Sequence, residues 1–555
     1  MPPDQRSSTS ILSRASGPAV LLVLGTIHAL SFSPDPLPQW LLPFIQIFGL
    51  AFLAHHVFLA RRMRDAAAGA FLFCFANFAV GMYWLYISMH DYGAMAAPLA
   101  IAAVAVLAAI MALYGTLACA ASWWLGAKYL DARASYQRHL LLAATFASCW
   151  TAAEWLRGTL FTGLPWLNIG YAHVEGMLAP WAPIIGVYGV AWLAAFASGA
   201  IGLLALARNS SNDARAAVGV GIAILTGLIG IFLHHVQWAQ PQGKPLIVRL
   251  VQGNVPQSEK FDPGLMVQGQ IDYLSLAELA PRAPDGKPDI IVLPETVVPL
   301  FQDDVAPELW DRWLDVARMQ DASLILGVPL HDYVQGRERF TNSVIGVNAN
   351  TPRQAIIDAN PAMRYDKHHL VPFGEFVPAG FRWFVDAMTI PLGDFDRGPV
   401  RQRLFTIDGT VFAPNICYED VFGEQIIASV RDSDRLGPGA NVLVNVSNLA
   451  WFGDSWALRQ HLQISRMRAL ETARPMLRAT NTGMTAAIDP DGSIRAVLDP
   501  LQKGVLDVEV QGMTGITPYV RWGDRLALGW TVLFLILALA LRRRPLTGDE
   551  QHNKG

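Results

Sequence analysis

The chain has 555 residues, 52% of them hydrophobic and only 16% charged, with a formal net charge of −3. It is too apolar for an ordinary soluble enzyme and too long for one core, so a membrane part and a soluble part are both expected. The charge balance gives no basic field of the kind nucleic acid requires, which excludes nucleic acid as a partner.

A helix that crosses a bilayer needs about 20 mostly apolar residues, and charge-free windows meet that need along the first half of the chain. Residues 15–60 hold one acidic residue, Asp35, within the Pro-rich break SPDPLP, which reads as a hairpin between two spans. The first could instead be a cleaved signal peptide, but it has no clean small-x-small site before the break and reads as a retained anchor. Windows 66–90, 92–127, a shorter 139–153, 176–207 and 216–243 follow, and LALGWTVLFLILALAL at 526–541 ends in Arg542, Arg543 and Arg544. Glu154 and Arg157 stand at i, i+3 near the outer end of the fifth span, 139–153, where they could pair or touch substrate.

These windows make about eight spans. If Arg6 and Arg14 hold the N-terminus in the cytoplasm, alternation places RRMR (61–64), the Lys128 to Arg138 loop, RNSSNDAR (208–215) and RRR (542–544) on that same side. Everything from about 240 to 520 then lies outside. The expected division is 1–240 with seven spans, 241–515 as an outward catalytic domain, 516–545 as the last span and 546–555 as a cytoplasmic tail.

Between the last two spans the composition changes to β-rich runs separated by helical patterns. PLIVRLVQGN, DIIVLPET, SLILGVPL, TNSVIGVN, LFTIDGTVFAPNI, NVLVNVSN and MTAAIDPDG read as strands, and PELWDRWLDVARMQ and SWALRQHLQISRMRALETA as amphipathic helices. Apolar strands alternating with helices predict two helix-covered sheets packed face to face.

Cys74, Cys119 and Cys149 fall in membrane windows, where packing accounts for them. Cys417, in NICYED, is alone in the soluble part and has no partner for a disulfide, so it reads either as a reactive thiol or as an inert one at a strand end. A catalytic thiol needs a base and a group to hold an oxyanion. Glu295 at the carboxyl end of DIIVLPET and Lys367 in RYDKHHLVPFGEFVP, with Glu375 beside it, are the candidates; taken singly, each could be a cap, a surface carboxylate or a solvated charge. His368, His369 and His461 allow a rival Cys–His pair. Zinc-type ligand spacing is not evident, so neither metal nor cofactor is expected.

Glu295, Lys367 and Cys417 in this order resemble the Glu-Lys-Cys triad of the nitrilase superfamily. Together with FTGLPWLNIGYA (161–172), YDKHHLVPFGEFVP (365–378), NICYED (415–420), AWFGDS (450–455) and QHLQISRMRALETARPMLRATNTG (460–483), the whole chain resembles the apolipoprotein N-acyltransferase family. The resemblance implies a polytopic α-helical membrane domain of about eight spans, with an α/β nitrilase-like αββα sandwich inserted between the last two. It implies a bacterial inner-membrane enzyme that moves a fatty acyl chain from a membrane phospholipid to the amino group of a diacylglyceryl-cysteine on an apolipoprotein, through a thioester and without a cofactor.

By the same resemblance Cys417 is the nucleophile, Glu295 the base and Lys367 the oxyanion cation, aided by the backbone N–H of Tyr418. Glu375 and Glu419 are supporting carboxylates that keep Lys367 charged and oriented, and Phe261, Trp451 and Phe452 meet substrate. Two positions depart from the family pattern: Leu293 and Phe261 stand where Trp is usual, which bears on pocket shape. A membrane-anchored amidase and an inactive nitrilase-like module are the competing functions; the intact Glu295, Lys367 and Cys417 set argues against the second.

Overall fold

The computed structural model describes residues 17–126, 136–207, 213–280, 286–378, 380, 382 and 394–543. Arg6, Arg14, most of the Lys128 to Arg138 loop, residues 208–212, Arg544 and the 546–555 tail lie outside the described residues.

Each apolar window carries a helix: α1 (Pro18–Ala29), α2 (Leu42–Leu59), α3 (Met63–Gly81), α4 (Ala97–Gly126), α5 (Tyr136–Thr159), α6 (Ala182–Ala207), α7 (Asp213–Leu233) and, after the soluble part, a last helix, Arg525–Arg543. Among the described residues five stretches are long and apolar enough to cross a membrane: Gln39–Leu59, Met63–Gly81, Ala97–Gly126, Ala179–Leu206 and Arg525–Arg542. Pro18–Phe32 and Ala217–Leu233 are apolar but shorter. The 66–90 window is not one helix; α3 stops at Gly81, and a short helix, Trp84–Ile87, and a π turn, Ser88–Tyr92, complete it. Helix α6 is broken at Gly186, whose φ of +65° places its backbone against the Tyr519 ring, where a Cβ would come within 2.1 Å.

Among the described residues the strands form a two-residue pair, Gln240–Pro241 with Met513–Thr514, and two six-stranded sheets. One has the order β12 (Gly504–Val510), β1 (Leu246–Gln252), β2 (Ile290–Val292), β3 (Ser323–Val334), β4 (Arg337–Val347), β5 (Met363–Asp366). The other runs β11 (Ile494–Val497), β10 (Ala486–Ile488), β9 (Met476–Thr480), β8 (Val442–Ser447), β7 (Thr410–Ile416), β6 (Phe405–Ile407). Val248, Leu250, Val292 and Ile325 of the first sheet share a dry core with Phe412, Ile416, Val444 and Leu477 of the second. This packing uses both faces of each strand, hence the near-continuous apolar runs.

Helix α8 (Met266–Ala277) and helix α9 (Pro307–Gln320) cover the first sheet; Trp310, Trp313, Leu314 and Ala317 make an i, i+3, i+4, i+7 stripe against Ile291 and Leu293. Helix α10 (Gly423–Val430) and helix α11 (Trp456–Thr472) cover the second, with Ile426, Ile427 and Leu462 against Ala413 and Leu443. The last helix is α12. Helix α11 is not the half-exposed helix its pattern suggests: it packs between the sheet and the apolar helix α6, and Arg466 and Arg468 are buried. Within that junction Glu471 of α11 accepts a hydrogen bond at 2.7 Å from Val187 N, the donor freed by the Gly186 break.

Four strands of these two sheets escape the sequence reading: β5, β9, β11 and β12. The run LFTIDGTVFAPNI is also not a single strand but the hairpin β6–β7, turning at Asp408 and Gly409 with φ of 49° and 77°. An Asp-Gly pair between apolar runs is the chemistry of that turn, because both central residues need positive φ.

Candidate active site

Strand β7 delivers Cys417 at its carboxyl end, where the chain tightens into the 3-10 turn Cys417–Val421. Cys417 has φ of +51°, a conformation non-glycine residues adopt only when the surroundings impose it. Asn445 of β8 imposes part of it, donating from Nδ2 to the Cys417 carbonyl at 3.1 Å. Glu419 supplies the rest: Oε2 accepts from Ile416 N at 2.7 Å and from the Tyr365 hydroxyl at 3.0 Å, while Oε1 accepts from His368 N at 2.7 Å and His369 N at 3.1 Å. Glu419 therefore reaches the lysine segment through its backbone, and joins it to the cysteine turn.

Strand β2 ends just before Glu295, and the chain reverses at Thr296 with φ of +53°. The Glu295 carboxylate accepts from Asn342 Nδ2 at 2.8 Å and Lys367 Nζ at 3.3 Å on one oxygen, and from Asn448 N at 2.9 Å on the other. Lys367 follows β5, and its own N–H donates to the Asn342 carbonyl at 2.8 Å. Its Nζ also donates to Glu375 Oε1 at 2.8 Å, and Asn342 Nδ2 reaches the same oxygen at 2.7 Å. One ammonium thus serves two carboxylates on one side of the sandwich, with Asn342 bridging them.

Lys367 is 1% exposed, whereas Cys417 remains partly exposed. Burial opposes the charge on Lys367, but Glu295 and Glu375 outweigh it and hold the ammonium well above the usual lysine range. Burial likewise pushes Glu295 up, yet Lys367, Asn342 and Asn448 together hold it below the usual carboxylate range. Burial, then Glu295, drives the Cys417 thiol up, against the pull of Lys367. The resting arrangement is a protonated thiol beside an ionised carboxylate and a fixed cation. Such a set can move a proton from sulfur to Glu295 while positive charge faces a developing oxyanion.

Tyr418 stacks on Trp166, rings 6.4 Å apart at 15°, and donates its hydroxyl to the Gly163 carbonyl at 3.0 Å. The 163–169 segment is held from α5: Arg157 Nη1 donates to the Leu164 and Trp166 carbonyls, each at 2.5 Å, and Glu154, 3.8 Å from Arg157, accepts from Ile169 N at 3.1 Å. Phe452 lies edge-on to Trp84 at 4.6 Å and Trp451 to Tyr92 at 6.3 Å, both against the break after α3. Phe261 follows the short helix Gln257–Lys260 and is half-buried.

The histidines are engaged elsewhere. His461 Nε2 lies 2.8 Å from Asp420 Oδ1, His368 Nδ1 is 2.7 Å from the Gly398 carbonyl, and His369 stacks on Phe422 at 3.6 Å with Nδ1 2.9 Å from Gln425 Nε2. None is placed as a partner of the thiol.

Sequence reasoning missed Asn342, Asn448 and Lys260. A polar residue inside the apolar run TNSVIGVN, and another just past NVLVNVS, were the available signals. Lys260 is buried and donates to the Glu295 carbonyl at 3.0 Å; burial pulls it down to about 7 against the attraction of Glu295.

Two family models match the chain: the apolipoprotein N-acyltransferase N-terminal domain over 24–200 and carbon-nitrogen hydrolase over 233–519. A Bordetella bronchiseptica protein named apolipoprotein N-acyltransferase is 53% identical over 532 residues, covering 95% of this chain and 97% of its own. One of the same name from Ralstonia nicotianae is 46% identical over 522 residues, covering 94% and 93%. Among solved structures, a cysteine-to-alanine mutant of a Nesterenkonia AN1 amidase from the nitrilase superfamily is 17% identical with a TM-score of 0.36, covering 52% of this chain and 98% of that one.

Proposed function

Because the chain belongs to the apolipoprotein N-acyltransferase family, and is an acyltransferase with a carbon-nitrogen hydrolase domain, we propose that it N-acylates lipoproteins in two steps through a thioester on Cys417. The donor is a membrane phospholipid and the acceptor the α-amino group of a diacylglyceryl-cysteine. The observation that carries the reading is the meeting of Glu295, Glu375 and Lys367 beside a thiol held in left-handed backbone geometry.

In the first step the Cys417 sulfur attacks the ester carbonyl carbon as Glu295 takes the thiol proton. The resulting oxyanion faces Lys367 and the N–H of Tyr418. Collapse breaks the ester C–O bond, Glu295 returns the proton to the leaving alkoxide, and lysophospholipid departs. In the second step the acceptor amine attacks the thioester, Glu295 takes the amine proton, and collapse expels the Cys417 sulfur, which regains that proton. Phe261, Trp451 and Phe452 line the approach of the lipid chains, and Phe261, smaller than Trp, leaves that approach wider; Leu293 is fully buried under Trp310 and Trp313 and does not shape it.

Both substrates are lipids, so the site belongs at a membrane face. Eight spans, formed by α1 to α7 and α12, place the N-terminus and the basic loops in the cytoplasm of a bacterium and the sheets on the periplasmic side of its inner membrane. A reporter active only outside the cytoplasm should work when fused after Gly243 and stay silent after Arg544; activity at both overturns this topology.

Purified enzyme given phospholipid and a diacylglyceryl peptide should yield triacylated peptide and lysophospholipid by mass. Free fatty acid with unchanged peptide would identify a hydrolase and contradict the proposal.

A further inference from the structure

Lys260 closes the short helix Gln257–Lys260 and is 3% exposed, yet unlike Lys367 it forms no ion pair among the described residues. Its Nζ donates instead to the main-chain carbonyl of Glu295 at 3.0 Å. From the same helix Gln257 Oε1 accepts from Asn448 Nδ2 at 2.9 Å, and Asn448 N donates to the Glu295 carboxylate at 2.9 Å. One turn of helix therefore grips Glu295 twice, by its peptide unit and through Asn448 by its carboxylate. The grip falls on a tight place: Thr296 has φ of +53°, and a Cβ on Gly327 would come within 2.7 Å of Glu295 Cα.

We propose that Lys260 is a positioning residue for Glu295, fixing the peptide unit that carries this carboxylate and adding a cation that favours its ionised form. The inference rests on the reading of Glu295 as base. The other cation acting on Glu295 is Lys367, which Glu375 shares with it, and the Cys417 thiol interacts with Glu295; Asn342 and Asn448 are neutral donors. Below about 7 Lys260 carries its charge, so the acid limb, where Glu295 takes up a proton, is read with the cation present.

The test is single-turnover acylation of Cys417 across pH, with full-length enzyme in mixed micelles of phosphatidylethanolamine and phosphatidylglycerol. Lys260→Met should slow acylation by about tenfold or more, leave the donor KM unchanged and move the acid limb to higher pH. Lys260→Arg should keep the limb at its wild-type position, and Lys260→Gln, a donor without charge, should show it displaced. Thermal melting of each variant separates these effects from misfolding; if Lys260→Met does not fold, the Gln and Arg pair decides. An unchanged limb in the uncharged variants, or a loss confined to KM, overturns the proposal. Glu295→Gln runs alongside: wild-type acylation there would instead remove the base itself.

Discussion

The hydroxyl of Tyr418 donates to the carbonyl of Gly163 at 3.0 Å, joining the residue after the thiol to the segment that leaves α5, 255 positions earlier. That segment is fixed by Arg157, so an ion pair at the end of α5 steadies the turn that presents Cys417.

Tyr418→Phe keeps the ring against Trp166 and removes only this bond. A buried hydrogen bond of this kind contributes about 0.5–1.5 kcal/mol, so thioester formation should slow by about two- to tenfold while donor KM stays put. Wild-type acylation in single-turnover assays would mean that the turn is held without this bond.

Lys367→Arg preserves the charge but not the compact point donor that sits 2.8 Å from Glu375 and 3.3 Å from Glu295 in a space that is 1% exposed. A guanidinium fork needs more room and aims its donors elsewhere. Acyl transfer should fall about a hundredfold or more, as when an oxyanion donor is lost. Near-normal turnover would assign Lys367 a general electrostatic role.

Because burial and Glu295 push the Cys417 thiol up, alkylation by iodoacetamide should be slow at pH 8 and should climb only well above the ordinary thiol value of about 8.5. The sign of one substitution separates the influences. Glu295→Gln removes an anion beside the thiol and leaves Lys367 in place, which favours the thiolate, so alkylation at pH 8 should quicken while acylation slows. Peptide mapping distinguishes Cys417 from the buried Cys74, Cys119 and Cys149. Alkylation unchanged or slowed in Glu295→Gln would contradict this electrostatic account.

The parts legible in the sequence are those written in local pattern. Charge-free windows mark the places where helices stand, and strand-end motifs mark Glu295, Lys367 and Cys417, which the sandwich draws together from β2, β5 and β7. What stayed hidden depends on partners distant in sequence. The buried state of α11 follows from the apolar helix α6 packed on its far side, and the four donors of Glu419 come from two separate segments. Asn342 is a single polar residue in an apolar strand, given meaning only by Glu295 and Glu375, 47 and 33 positions away. The β6–β7 hairpin is different: its Asp-Gly turn was visible and lost inside a longer apolar run.

The central claim is covalent catalysis at Cys417, and the most direct test omits the acceptor. Enzyme given phospholipid alone should gain one fatty acyl group, labile to hydroxylamine and mapped to Cys417, and release lysophospholipid; Cys417→Ala should gain none. Adding a diacylglyceryl peptide should then discharge the adduct into an N-acyl product. An acyl group that never forms on Cys417, under conditions where triacylated peptide is still produced, would contradict the account.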